Sequence, residues 1–519
     1  MIPKQLCAFA LGGLLAFAAT GVRADDSALL DVLVKKGILT KQEAEKLEAE
    51  VSKEPAPTQG GLESRIKIGD WVQEIDLYGD MRFREYYQSY QQQLPPAGTA
   101  FDQNKQNQRL RFRLRLDADF KLADNIFGGV QLSTSDNRNG LTTNATYTGG
   151  FDNYDIYISR AFMGWAPLDG LTFVIGKQNN PFYATELNWA PDVGPTGLVE
   201  RIDFHALFGW GSMGEPTGYS KDGKTPPPAP PGQSVNPVDL SLIAGQFIFY
   251  NNNADSSVSF DKTDAFMFET QLLSRFRLFG GAVTIVEAPD VQIWNEAGLG
   301  PTGTLPGGQP NPATSASATA PANTGALGTL NNSNPFPIYT RDEFYLQSPG
   351  DINFKIANIP VSLYWDLSYN VWGPQRFSQV YGPLFDTVTY AKGSTTPIFS
   401  GLVHPSFKDY FAWLAGIRIG SNRKAGDLSV IVDYRQVGLA SDDPNIKSND
   451  FNVSFMNSAG WRASISYSLT DFAVFAVTGW FSNNLSRNLY GGFATSPSTF
   501  PIANANSSEV IAVDLALKF

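Results

Sequence analysis

The chain is poor in three things: it has 519 residues but one cysteine, two histidines and a charged fraction of only 17%. A soluble globular protein carries about a quarter charged residues. The cysteine, Cys7, lies in an apolar leader, so the mature chain is expected to form no disulfide and to have no cysteine nucleophile or metal ligand. The histidines, His205 and His404, fall in no HExxH pattern, and Walker A and GxSxG motifs are also missing. Asp442, Asp443 and Asn445 read as an acidic turn rather than a calcium loop. No enzyme, cofactor or metal is therefore expected. After residue 24 no apolar run approaches the ~18 residues that a membrane helix needs. A membrane form of this chain must then be a closed barrel, because lipid cannot satisfy the open edges of a sheet.

Aromatics, by contrast, are plentiful, with 36 Phe, 20 Tyr and 10 Trp in a chain that is 42% apolar. Mean hydropathy is still slightly negative. A polar average with many aromatics and few charges suits a sheet with one face in lipid and one in water. The length could make about three soluble domains of ~150 residues, or one large barrel.

Lys4, the apolar stretch Leu6 to Val22 and Val22-Arg23-Ala24 read as a secretory signal over residues 1–24. Its removal takes away Lys4 and Arg23 and moves the formal charge from −11 to −13. An acidic chain lacks the basic footprint of a nucleic-acid binder. Residues 25–54 read as a periplasmic helical or coiled-coil segment, with Leu29, Leu30, Leu33 and Val34 on one face and a Thr40/Glu43 capping box. Residues 55–65 are a Pro/Gly linker, and 66–519 read as the barrel.

From about residue 66 the apolar period becomes two. In Arg109–Phe120 every even position is apolar and every odd one charged. A helix would smear both sets around its cylinder, whereas a strand separates them onto two faces. The pattern recurs at 264–278, 361–371 and 427–436. Short turns at 123–125, 167–169, 280–281, 357–360, 423–426 and 470–471 alternate with long polar segments near 88–107, 137–153, 179–262, 295–340, 373–408, 439–455 and 484–508. Short connections on one side and long ones on the other are the topology of an outer-membrane barrel. Segment 179–262 hides at least one further strand, at 238–250. The expected fold is all-β, a transmembrane antiparallel barrel of 16 strands, with 14 and 18 as alternatives. The Pro/Gly-rich stretches 223–237 and 300–335 read as external loops. Trp165, Trp365, Trp413, Trp461, Trp480 and Phe519 are expected on the lipid face or in the interface girdles.

Several segments resemble the bacterial putative-porin family, which is related to the phosphate-selective porins. Gly176–Phe182 is similar to the strand end and Pro-Phe turn of those proteins. Trp189–Gly197 resembles the following Trp-Asp-x-Asp-x-x-Pro-Glu-Gly segment and departs from it at Pro191 and Thr196. Gly420 through Arg435 and Asn449-Asp450-Phe451 are also similar, the latter with one acid missing. The resemblance implies a porin barrel in the outer membrane of a Gram-negative bacterium and implies no particular substrate.

A pore works through its lining and its narrowest point. Arg109, Arg111, Arg113 and Arg115 share one strand face, and Arg82 and Arg84 precede them. If the two strands pair, six guanidiniums share a lumen wall, a basic ladder suited to oxyanions. The alternative is a packing network neutralised by Asp80, Asp117, Asp119 or acids on an inward loop. Either way they belong in the lumen, since Arg on the lipid face costs ~2–4 kcal/mol at mid-membrane. Segment 179–205, in the third external connection, is the constriction candidate through Glu186, Asp192, Glu200 and Asp203. The terminal Phe519 ends an alternating strand and resembles the signal read by the barrel assembly machinery. The expected function is a porin, a trimer or a monomer among outer-membrane lipids, passing small hydrophilic solutes with an anion preference. A structural or adhesive barrel with a closed lumen is the alternative reading, and an outer-membrane hydrolase the third.

Overall fold

The computed structural model describes Gly69 and residues 71–519, apart from 94–101, 137–141, 209–236, 251–264, 296–303, 306–308, 311–342, 376–383, 393–396, 443–445, 449, 452–455, 487–489 and 492–504. The leader, the helical segment and the linker expected at 1–65 lie outside the described residues, as does nearly all of 300–335.

Sixteen antiparallel strands close into one barrel. They are β1 (Val72–Gln93), β2 (Asp102–Leu122), β3 (Ile126–Thr134), β4 (Ile156–Leu168), β5 (Leu171–Lys177) and β6 (Thr196–Asp203). β7 (Val238–Tyr250) and β8 (Ala265–Leu278) follow. β9 runs as Val283–Glu287 and Asp290–Asn295, and β10 as Glu343–Gln347 and Gly350–Ile356, each broken at two residues. β11 (Ile359–Asn370), β12 (Phe411–Gly420), β13 (Leu428–Val437), β14 (Ser458–Ser468), β15 (Ala473–Asn484) and β16 (Ala505–Lys518) complete the circuit. Each strand pairs with the next in sequence, and β16 pairs back onto β1.

Alternation places the side chains. Leu110, Leu116, Ile158, Trp165, Trp461 and Phe475 are exposed on the outer face, while Arg84, Arg111, Arg115, Gln131 and Asp433 are buried in the lumen. Trp480 departs from the girdle expectation: its strand parity turns it inward, and it is buried in a lumen cluster with Leu414 and Ala512.

Short turns close one rim. At 421–427 the Asp427 carboxylate accepts from Ser421 Oγ and from the amides of Arg423 and Lys424. Those donors, the Arg423 amide first, hold its pKa below the usual carboxylate value. Segment 179–262 contains the strand expected at 238–250, β7, and a further one, β6. Consequently the connection from β6 to β7 starts at the short-turn rim, and its stretch 223–237, expected as an external loop, lies almost wholly outside the described residues. The connection begins with a short helix, Phe204–Phe208.

The closing seam carries a buried ion pair. Arg84 on β1 sits in register with Asp514 on β16 and donates to both carboxylate oxygens, at 2.7 and 2.9 Å. Below it Gly79 N and O bond Phe519 O and N at 2.8 and 3.1 Å. A Cβ on Gly79 would come within 2.7 Å of the Phe519 ring, so the terminal aromatic lies on a position kept bare for it. Replacing Asp514 with Ala leaves the buried Arg84 with Asp450 as its remaining carboxylate. A loss below the ~3–5 kcal/mol of a fully unpaired buried charge is expected, read as a lower unfolding midpoint in detergent; an unchanged midpoint would show that the seam does not depend on this pair.

Candidate functional site

β1 and β2 pair along their whole length, with Arg82 opposite Arg113, Arg84 opposite Arg111 and Tyr86 opposite Arg109. The six arginines therefore share one wall of the lumen. Five of them meet carboxylates. Arg113 Nε and Arg115 Nε both donate to Asp80, the first at 2.9 Å. Arg111 reaches Asp136 at 3.1 Å, and Arg84 takes Asp450 at 3.2 Å besides Asp514. Arg82 lies 3.7 Å from Asp514 and donates to Asn144 at 2.5 Å. Arg109 has no carboxylate partner among the described residues; its guanidinium stands 4.8 Å above the ring of Tyr86. Asp117 and Asp119, on the same strand, take Arg160 of β4 at 2.7 and 2.9 Å.

The opposite wall is acidic. Glu269 on β8, Asp290 on β9, Glu343 on β10 and Asp366 on β11 are all buried inside the barrel. They stand about half a turn from β1 and β2, eight strands away on either side. Sequence reasoning missed this wall as a unit. Its signal was present: Glu269 and Asp366 occupy the polar parity of their alternating stretches, but nothing local says that β8 to β11 face β1 and β2.

Between the walls lies the third external connection, residues 178–195. Asp192 sits 3.9 Å from both Arg113 and Arg115. On the acidic side, Thr185 Oγ1 and Asn188 Nδ2 donate to Asp366 at 2.6 and 2.8 Å. Tyr183 N donates to Gln271 Oε1, and Tyr183 Oη donates to Asp351, at 2.8 and 2.5 Å. Glu186 receives Arg462 of β14 at 2.6 Å and Arg435 of β13 at 3.3 Å. Each wall thus meets a loop group of complementary character: carboxylate toward arginine, hydroxyl and amide toward carboxylate. The segment crosses the lumen as a bar. Phe182, Leu187 and Trp189 bury their side chains along it.

A second inward segment, 438–457, supports the bar. Lys447 donates to Leu187 O and Asp442, and Ala190 N donates to Ile446 O at 2.6 Å. Phe451 lies under Arg435 at 4.8 Å. Asp442 is thus a buried ion-pair partner; Asp443 and Asn445 of the acidic turn expected there lie outside the described residues.

Of the four constriction candidates, the structure brings Glu186 and Asp192 into the bar and leaves two out. Glu200 and Asp203 lie in β6. Asp203 faces the lumen and pairs with Arg201 at 3.0 Å. Glu200 is on the other parity, facing outward, where Gln246 Nε2 donates to it at 3.4 Å. His205 Nδ1 accepts from the Leu240 amide at 3.3 Å.

A barrel closed by hydrogen bonds, apolar outside and charged inside, with an external segment folded across it, has the anatomy of a pore. Residues 89–278 match the family described as "Putative porin". The match runs from the end of β1 to β8 and includes the whole bar. The similar segments at 420–435 and 449–451 lie beyond it. Among solved structures, OmpF of Salmonella typhi in complex with daunomycin is 10% identical with a TM-score of 0.40, covering 86% of this chain and 97% of its own. OprB of Pseudomonas putida is 8% identical at 0.43, covering 86% and 94%. The outer-membrane channel DcaP of Acinetobacter baumannii is 10% identical at 0.36, covering 88% and 99%. No curated protein matches the chain. The protein is an outer-membrane β-barrel, similar over residues 89–278 to the porin family.

If the bar sets the bore, releasing it should widen the path. Asp366→Ala removes two of its anchors without leaving a cation unpaired, because Thr185 and Asn188 are neutral donors. Single-channel conductance is expected to rise and become noisier; an unchanged conductance would mean that the bar is held elsewhere.

Proposed function

We propose that the barrel passes small hydrophilic solutes by diffusion, with segment 178–195 as its constriction. The observation that carries this reading is the bar itself, whose polar groups match the two charged walls it joins. A transverse field of this kind orders polar solutes by their dipole and charge as they pass. Anion preference enters through the ladder, although five of its six arginines have carboxylate neighbours. The compensated arginines hold the bar and shape the field, and Arg109 faces the external side of the lumen as a cation that no described carboxylate neutralises.

The closed-lumen barrel is kept as the second reading, for a specific reason. Leu187 and Phe182 are each only 1% exposed, and two inward segments pack against each other between the walls. The hydrolase reading has no comparable support. The protein is proposed to act as a trimer or a monomer among outer-membrane lipids, and Phe519 to serve as the assembly signal.

Purified protein in planar bilayers is expected to give discrete conductance steps; their absence would favour the closed-lumen barrel. Replacing Arg111, Arg113 and Arg115 together with Ala removes these arginines from Asp80, Asp136 and Asp192. The reversal potential in a KCl gradient should then move toward that of a cation-preferring pore, and a potential that stays put would rule out the ladder as a source of selectivity.

A further inference from the structure

Arginines also line the lumen on the other side of the bar, toward the short-turn rim, and they divide into two kinds. Arg201 pairs with Asp203, and Arg277 pairs with Asp239. Arg275 on β8 and Arg418 on β12 have no carboxylate within ion-pair distance among the described residues. Both have inward strand parity: Arg275 stands between the buried Leu273 and Arg277 along its face, and Arg418 lies over the ring of Tyr364 at 6.0 Å. Both are half-buried.

The carboxylate between them is already engaged. Asp351 on β10 is linked in register through Val286 to Arg275 and through Tyr364 to β12. It accepts from Tyr183 Oη and from Asn353 Nδ2, both at 2.5 Å. Its direct hydrogen bonds thus come from neutral donors, and its single charge is shared between the two guanidiniums at longer range, leaving one positive charge in excess. Lys355, exposed at the rim on the same parity as Asp351, adds a third cation without a described partner. Arg275 and Arg418 are four strands apart, about 19 Å along the sheet at ~4.8 Å per strand. They flank the mouth of the path rather than a single pocket.

We propose that Arg275 and Arg418 are the charge-selectivity residues of the short-turn side of the channel, attracting small anions to the end of the path below the bar. The placement rests on the channel reading above, but it assigns selectivity to cations outside the ladder. Guanidiniums in direct ion pairs present little net field to a passing ion, whereas two that share one distant carboxylate leave a net positive charge in the wall, and a cleft focuses its field. A guanidinium fork suits an oxyanion, and a halide responds to the same charge.

The test is the reversal potential of the full-length protein in bilayers under a KCl gradient. Arg275→Gln with Arg418→Gln should lower the chloride-to-potassium permeability ratio by about threefold, as follows when the local potential falls by about half a kT, since the anion and cation terms move in opposite directions. Arg275→Lys with Arg418→Lys, which keeps the charge and loses the fork, should retain the chloride ratio. Added inorganic phosphate should slow the current of the native protein more than that of the Lys pair. An unchanged ratio in a conducting Gln pair overturns the assignment alone. Loss of the ratio in the Lys pair as well as the Gln pair also overturns it, since packing rather than charge would then be responsible. If the native protein does not conduct, the channel reading falls and this assignment with it. Should the Gln pair fail to fold, the two single Gln variants carry the same comparison.

Discussion

Lipid offers no hydrogen-bond partner to a backbone, and the rest of this structure follows from that. Every strand must be paired on both edges, so β16 has to return to β1. The seam is long, running from Asp80 opposite Lys518 to Gln92 opposite Ala505. It is also where the chain places a bidentate Arg84–Asp514 pair and rests its last residue on Gly79. Once the sheet is closed, strand alternation does the remaining sorting. Apolar side chains face lipid and every charged one on the opposite parity is committed to the interior.

That commitment creates a second problem. Charges turned inward in a barrel of this size are only partly reached by water, and each unpaired one is costly. The inward segments 178–195 and 438–457 answer it. Asp192 and Asp450 come to the arginine wall, Thr185 and Asn188 to Asp366, and Lys447 to Asp442. The same contacts that make the interior tolerable also narrow it. Constriction and charge compensation are one arrangement here, which is why the few cations left out of it, such as Arg275, stand apart.

Much of the fold was legible in the chain. Arg109–Phe120 announces a strand with two incompatible faces, and the spacing of short turns leads to sixteen strands. β6 was harder to see. Its eight residues mix Val199 and Ile202 with Glu200, Arg201 and Asp203, so neither face is cleanly apolar, and it was absorbed into a loop. Missing it matters for direction, because one hidden strand reverses the sense of the chain up to the next. Trp480 was misplaced for a related reason. A tryptophan next to Phe481 can belong to either face, and residue type alone does not set parity.

The sequence by itself pointed to the class of object: alternation over many strands and a charge-poor composition suit a sheet between lipid and water, and without a helix-length apolar run a membrane form has to be a closed barrel. It also determined that Arg82, Arg84, Arg109, Arg111, Arg113 and Arg115 face inward, since period two is a local property. Which charges cancel was decided only by the tertiary structure. Asp514, Asp450, Asp192 and Asp80 reach the arginines from β16, two loops and β1, at sequence separations that run from 33 residues for Asp80 and Arg113 to 430 for Arg84 and Asp514. No local pattern encodes such distances, because closure of the ring, not neighbourhood along the chain, brings those groups together.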